Sequence, residues 1–142
     1  PDATLERWRH KLAALAALNA RYGLTGNIQN LAGRILGASL WECWLLLRDL
    51  PTEAIAVQFD IRHATIERGL SWDDELWLIA PRIRTLAIKD AYWARQDDRW
   101  QVVNTPLGEG QVDLARYFSL LARHGVDAGL CLHVEYEVAR ER

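Results

Sequence analysis

Ala54-Ile55-Ala56-Val57-Gln58-Phe59-Asp60-Ile61-Arg62-His63-Ala64 is the stretch that decides how this chain is read. It opens as an apolar, β-rich run of the kind a buried strand requires. It then ends abruptly in an acid, a guanidinium and an imidazole at Asp60, Arg62 and His63. An apolar body with a reactive tip is the form in which a parallel-sheet strand delivers chemistry. A strand whose polar end is simply solvated at a loop looks the same in isolation, so the neighbouring segments have to decide.

Working outward, similar runs recur at near-equal intervals. Leu24 to Asn30 reads as a short strand ending in Gln29-Asn30, and Arg84 to Asp90 as a second apolar strand tipped by Lys89-Asp90. Leu130 to Val138 reads as a final strand tipped by His133, Glu135 and Glu137. Ile28, Val57 and Leu86 are spaced by about one strand-helix-strand unit of roughly 30 residues. Helices are expected between them. Leu5 to Leu18 carries Trp8, Leu12, Leu15 and Leu18 on one side after an N-cap at Asp2-Ala3-Thr4, and Gly23 can cap its end. Ser39 caps Leu40 to Leu50. A loop through Gly69 leads to a capping box at Ser71-Trp72-Asp73-Asp74, which opens the helix of Leu76, Trp77 and Ile79. Ala91 to Gly110 reads as a long loop with Trp93 and Trp100, a length usually functional or mobile. Val112 to His124 is the last helix. The order is a helix, then strand and helix three times, then a strand. Right-handed crossovers between parallel strands follow, and all four polar tips are expected at the rim where such α/β folds place their sites.

Bulk properties exclude several partners. The chain has 142 residues, half of them apolar, enough for one domain with a real core. Seventeen basic against 19 acidic residues give a net charge of -2, no electrostatic footprint for nucleic acid or an anionic membrane. No apolar run approaches the roughly 20 residues of a spanning helix, and no signal-peptide pattern is present, so a cytoplasmic location is expected. Two cysteines make no disulfide framework, and Cys43 and Cys131 read as inert buried thiols. The chain has no methionine and opens with Pro1-Asp2, so it is expected to be processed or to be part of something longer.

Taken together, Ile28-Gln29-Asn30, Gln58 to Ala64, Ile88-Lys89-Asp90, Pro106-Leu107-Gly108-Glu109-Gly110 and His133-Val134-Glu135-Tyr136-Glu137 resemble the C-terminal half of a xylose-isomerase-like TIM barrel. More narrowly they resemble its sugar phosphate isomerase/epimerase group. The resemblance runs from the first helix to Val138. It implies an α/β fold of parallel (β/α) units, four strands with outer helices, and residues 1–142 as a single partial domain. It also implies a divalent metal ion (Mn, Mg, Co or Zn) at the C-terminal mouth, held from strands five to eight. Carried over by position, the strand-five Glu falls on Gln29, the strand-six Asp on Asp60, the strand-seven His on Ala87 and the strand-eight Glu on Glu135. The implied ligand set is therefore Asp60, Glu135 and Gln29, weakened at Gln29 and Ala87, with Asp90, Glu137, His133 or water to fill in. His63 matches a substrate-contacting His, and Lys89 the Lys of a Lys-Asp motif.

From these residues Glu135 is the candidate catalytic base, because a Gln cannot accept a proton and two-base epimerisation is not expected. His63, Lys89, Asn30 and Arg62 are the substrate-binding candidates. Lys89 reads equally as a binder of a substrate oxyanion or as a partner for Asp60, Asp90 or Glu135. His133 reads as a supporting imidazole, and His10 and His124 as surface residues. The implied function is a sugar (phosphate) isomerase or epimerase moving a proton or hydride on a small carbohydrate with metal assistance. The other reading is a non-catalytic carbohydrate-binding or structural barrel module. The DNA-repair endonuclease branch ranks last, because it needs a His-rich metal cluster and phosphate-neutralising charge. Half a barrel leaves open edges, so an N-terminal half-barrel or a second copy of the chain is the expected partner, and the piece alone is expected to aggregate or swap.

Overall fold

The computed structural model describes residues 2–138. Helix α1 (Asp2–Arg21) leads into strand β1 (Gly26–Gln29), helix α2 (Leu40–Leu47), strand β2 (Ile55–Asp60), helices α3 (Ile61–Arg68) and α4 (Trp72–Ile79), and strand β3 (Ile83–Ile88). Strands β4 (Asp90–Gln96) and β5 (Arg99–Thr105), helix α5 (Leu114–Arg123) and strand β6 (Gly129–Leu132) follow. The main sheet has four strands in the order β1-β2-β3-β6, every neighbouring pair parallel. This is the parallel α/β architecture that the sequence resemblance implies, and β1 and β6 are its edges.

The sheet is held by the apolar bodies of its central strands. In β2, Ile55, Val57 and Phe59 are fully buried, each worth about 1.5–3 kcal/mol of transfer from water. Phe59 meets Tyr117 of α5 edge-on, with ring centroids 5.2 Å apart, and Trp72 of α4 at 6.1 Å. Those contacts fix both crossovers against the strand that carries Asp60. Ser39 and Glu42 form a capping box, Ser39 Oγ accepting from the Glu42 N–H and the Glu42 carboxylate accepting from the Ser39 N–H.

Several expectations are corrected. No loop follows the focal strand: Asp60 is both the last residue of β2 and the N-cap of α3. Ser71 makes no side-chain cap, because a 3-10 turn over Gly69–Ser71 runs directly into α4 and holds Ser71 at φ -87, ψ 0, away from the extended cap conformation. The expected long loop is largely an antiparallel hairpin, β4 with β5, reversed at Asp97 and Asp98, both with positive φ. In α1 the buried side is Leu5, Leu12, Ala16 and Asn19, while Trp8, Leu15 and Leu18 are exposed. Asn19, on the buried side, donates to the Ala54 carbonyl. Of the expected cap Asp2-Ala3-Thr4, Ala3 and Thr4 lie inside α1, and the Asp2 side chain is outside the described residues. Strand β6 ends at Leu132, and as the exposed edge strand it leaves Cys131 exposed, whereas Cys43 is buried as expected. Burial pushes the Cys43 thiol up to about 12. No described helix is long and apolar enough to cross a membrane.

Candidate functional site

Parallel pairing brings the strand ends to one rim, and the side chains there join into a chain of hydrogen bonds and ion pairs. Asp60 is at its centre and has no exposed surface. One carboxylate oxygen, Oδ1, accepts the His63 backbone N–H at 3.0 Å, which caps α3. The other, Oδ2, accepts from Gln29 Nε2 at 2.7 Å and lies 3.2 Å from Lys89 Nζ. Lys89, only 5% exposed, also donates to Glu135 Oε1 at 2.7 Å. Gln29, Asp60, Lys89 and Glu135 thus link the ends of β1, β2, β3 and the segment after β6. Each partner satisfies a group that would otherwise be costly to bury.

The remaining sequence candidates surround this chain. Asn30 is buried and binds the Asp60 backbone twice, donating to its carbonyl at 2.9 Å and accepting its N–H at 2.8 Å. Its amide therefore holds Asp60 in place, and both of these hydrogen bonds go to structure. Arg62 reaches His63 Nδ1 at 3.0 Å and donates to Asn104 Oδ1. Its Nε is buried without a partner, and among the described residues it pairs with no carboxylate. Asn104 also donates to the Glu135 carbonyl at 3.0 Å, fixing the segment that carries Glu135. Sequence reading missed Asn104, which lay in what looked like a loop. A cleft of about 260 Å³ beside Arg62 is lined by Gly33, Glu67, Trp93 and Val102.

The electrostatics follow from these contacts. Burial lowers the His63 pKa to about 4, with Lys89 and Arg62 pushing the same way and Asp60 and Glu135 opposing them. His63 is therefore neutral near pH 7. Since Nδ1 faces an Arg62 donor, the ring proton is assigned to Nε2, 3.8 Å from Asp60 Oδ2. The hydrogen bond from Lys89 holds Glu135 below the usual carboxylate range, and with its side chain 42% exposed Glu135 is ionised.

Other expected contributors point elsewhere. Asp90 is buried, and its two oxygens accept the backbone N–H groups of Ala91, Gly108, Gly110 and Val112, so it anchors the return from the hairpin to α5. His133 lies 3.7 Å from Glu135 Oε1, outside hydrogen-bond range. Glu137 is exposed, and Ala87, in register with Asp60, has no donor atom. Gln29 turns its N–H toward Asp60, the polarity opposite to that of a metal ligand. Among the described residues no group of three or more His, Cys, Asp or Glu is placed to hold a metal ion. The donor set does not fit the divalent ion that the sequence resemblance implied.

Comparisons with known proteins agree with this architecture. A family model described as xylose isomerase-like TIM barrel matches residues 1–142. The fold is similar to a 3-keto-D-glucoside 4-epimerase from E. coli, with TM-score 0.74 at 16% identity over 98% of this chain and 49% of that one. It is also similar to a D-tagatose 3-epimerase-like protein, with TM-score 0.69 at 20% identity over 89% of this chain and 46% of that one. A third similar structure, a xylose isomerase-like TIM barrel protein from Mycobacterium smegmatis, was solved in complex with magnesium. Its TM-score is 0.62 at 17% identity, covering 92% of this chain and 42% of that one. The chain thus spans about half the length of these proteins. Among curated proteins no match is found.

Proposed function

Because this chain belongs to the xylose isomerase-like TIM barrel family, we propose that its strand-end cluster is the C-terminal half of a barrel mouth that binds a small carbohydrate and acts on it as an isomerase or epimerase. The observation that supports this reading is the unbroken chain Gln29–Asp60–Lys89–Glu135 across the ends of neighbouring parallel strands. In it an ionised carboxylate faces the mouth, and an ammonium is held beside it.

Glu135 takes the proton from a carbon next to the substrate carbonyl. The electron pair of that C–H bond forms a carbon–carbon double bond while the carbonyl π pair moves onto the oxygen, where the Lys89 ammonium donates a hydrogen bond to the developing negative charge. Return of the proton to the former carbonyl carbon, with the enediolate's hydroxyl proton passing to the charged oxygen, isomerises the sugar. Epimerisation needs in addition an acid on the opposite face, which Gln29 does not supply and which the remaining half of the rim would have to provide. Arg62 and the Nε2–H of His63 hold hydroxyl groups or a phosphate, and Trp93 on the hairpin covers the ligand. Gln29 and Asn30 keep Asp60 in place. A Glu135 held at low pKa by Lys89 is a weak base, so ligand binding must draw the ammonium from Glu135 toward the substrate oxygen before transfer. The rest of the rim comes from an N-terminal half-barrel or a second copy of the chain, with residues 1–142 forming one partial domain.

The test is solvent exchange. The full-length protein, incubated in D2O with a panel of small ketoses and their phosphates, is expected to introduce deuterium next to the carbonyl of one of them. Glu135→Gln is expected to slow exchange by roughly 10²–10⁴-fold while the sugar still binds. Exchange unaffected by Glu135→Gln overturns the assignment of the base. Binding without exchange selects a second reading, a non-catalytic carbohydrate-binding module, which is favoured by the depressed Glu135 pKa and by the amide at position 29. Absence of binding to every member of the panel overturns both.

A further inference from the structure

We propose that Lys89 is the built-in cation of this mouth, its ammonium taking the position between the Asp60 and Glu135 carboxylates that a bridging divalent ion would need, so that the site works without a metal. The inference extends the functional reading above but stands on geometry that does not require it.

Lys89 Nζ lies 3.2 Å from Asp60 Oδ2 and 2.7 Å from Glu135 Oε1, and the side chain is almost wholly buried. An ion shared by those two oxygens would have to displace it. The rest of the donor set has the wrong polarity. Asp60 Oδ1 is committed to the His63 N–H, and Oδ2 already accepts from Gln29. A divalent ion needs oxygen or nitrogen lone pairs on several sides, but Gln29 presents N–H and Ala87 presents a methyl group. These two departures match the lysine. The Gln29 amide can lie 2.7 Å from Asp60 without the repulsion a second carboxylate would bring. Ala87, in register with Asp60, leaves that level open for the chain two residues on to reach across. Charge points the same way: Asp60 and Glu135 share the Lys89 ammonium, and the Arg62 guanidinium, bonded to His63 and Asn104, adds a second positive charge nearby. A metal ion arriving here meets an ammonium already between the two carboxylates.

The inference is tested by manganese titration of the full-length protein, read by the electron paramagnetic resonance of free Mn2+, with no sugar present. The expected result is no stoichiometric binding up to about 1 mM. The triple variant Gln29→Glu, Ala87→His, Lys89→Gln is expected to gain Mn2+ affinity by at least about tenfold. One Mn2+ bound to the unaltered protein at micromolar concentration, and lost in Asp60→Asn, overturns the inference whether or not the triple variant folds. Because the readout is metal binding alone, deuterium exchange can fail while this result stands, and the reverse also holds.

Discussion

Replacing Lys89 by methionine should destabilise the protein by about 3 kcal/mol, because it leaves a fully buried carboxylate without its counter-charge. At 3.2 Å and an effective dielectric of about 20, the Lys89–Asp60 attraction is about 5 kcal/mol. Removing the ammonium also removes the cost of burying it, and Asp60 keeps hydrogen bonds from Gln29 Nε2 and the His63 N–H. These two effects bring the cost toward the lower end of the roughly 3–5 kcal/mol typical of a broken buried pair. The Glu135 side of the network adds little, since its carboxylate is 42% exposed and screened. Urea unfolding followed by tryptophan fluorescence gives the stability. A cycle with Asp60→Asn isolates the pair and should show coupling of roughly 2–3 kcal/mol. A Lys89→Met cost under about 1 kcal/mol together with coupling near zero would refute the reasoning, since it would mean that Asp60 does not depend on the ammonium.

Three further outcomes follow from the same structure. A Cβ at Gly110 would overlap Asp90 Oδ1 and the Ala91 carbonyl oxygen, so Gly110→Ala should cost about 1–3 kcal/mol in thermal unfolding, and a neutral result would contradict the anchoring of this loop. His63 titrates near 4 in the fold against 6.5 ordinarily, so in that window the unfolded chain binds a proton that the folded chain excludes. Stability should therefore fall as pH drops from about 6.5 to about 4, by up to about 3 kcal/mol. Glu135, also depressed, adds to the fall only from its ordinary value of 4.5 downward. Urea midpoints across that range should show the decline, His63→Gln should flatten it, and a midpoint that rises on acidification would contradict the burial of a neutral imidazole. Finally, a maleimide at neutral pH should label Cys131 and spare Cys43 until the protein unfolds, as counted by mass spectrometry; rapid native labelling of Cys43 would contradict its burial.

The sheet was legible because its strands are buried apolar runs whose spacing leaves room for one crossover each: Ile28, Val57 and Leu86 all lie in parallel strands. Helix α3 was not, because Asp60 serves both as strand end and as N-cap with no glycine or proline between, and the segment after it has little amphipathic pattern. The hairpin was hidden for a different reason. Its turn is Asp97-Asp98 rather than a glycine pair, and its exposed strands mix charges with Trp93 and Trp100, which blurs the two-residue period. Missing the hairpin meant missing Asn104 and its double hold on Arg62 and the Glu135 backbone. Glu135 was expected at the tip of a strand running to Val138, yet β6 ends three residues before it, and Lys89 and Asn104 position it instead. Which of three acids Lys89 would choose was also beyond one-dimensional reading. The backbone turn at Ala91 and Gly108–Val112 claims Asp90, which leaves Asp60 and Glu135.

Crystals of the full-length protein grown in excess Mn2+ and measured at the manganese absorption edge ask which cation holds this mouth together. The expected map has no anomalous peak between Asp60 and Glu135 and shows Lys89 Nζ bridging them. A peak with both carboxylate oxygens within about 2.2 Å, and Lys89 swung out of the cluster, would contradict it.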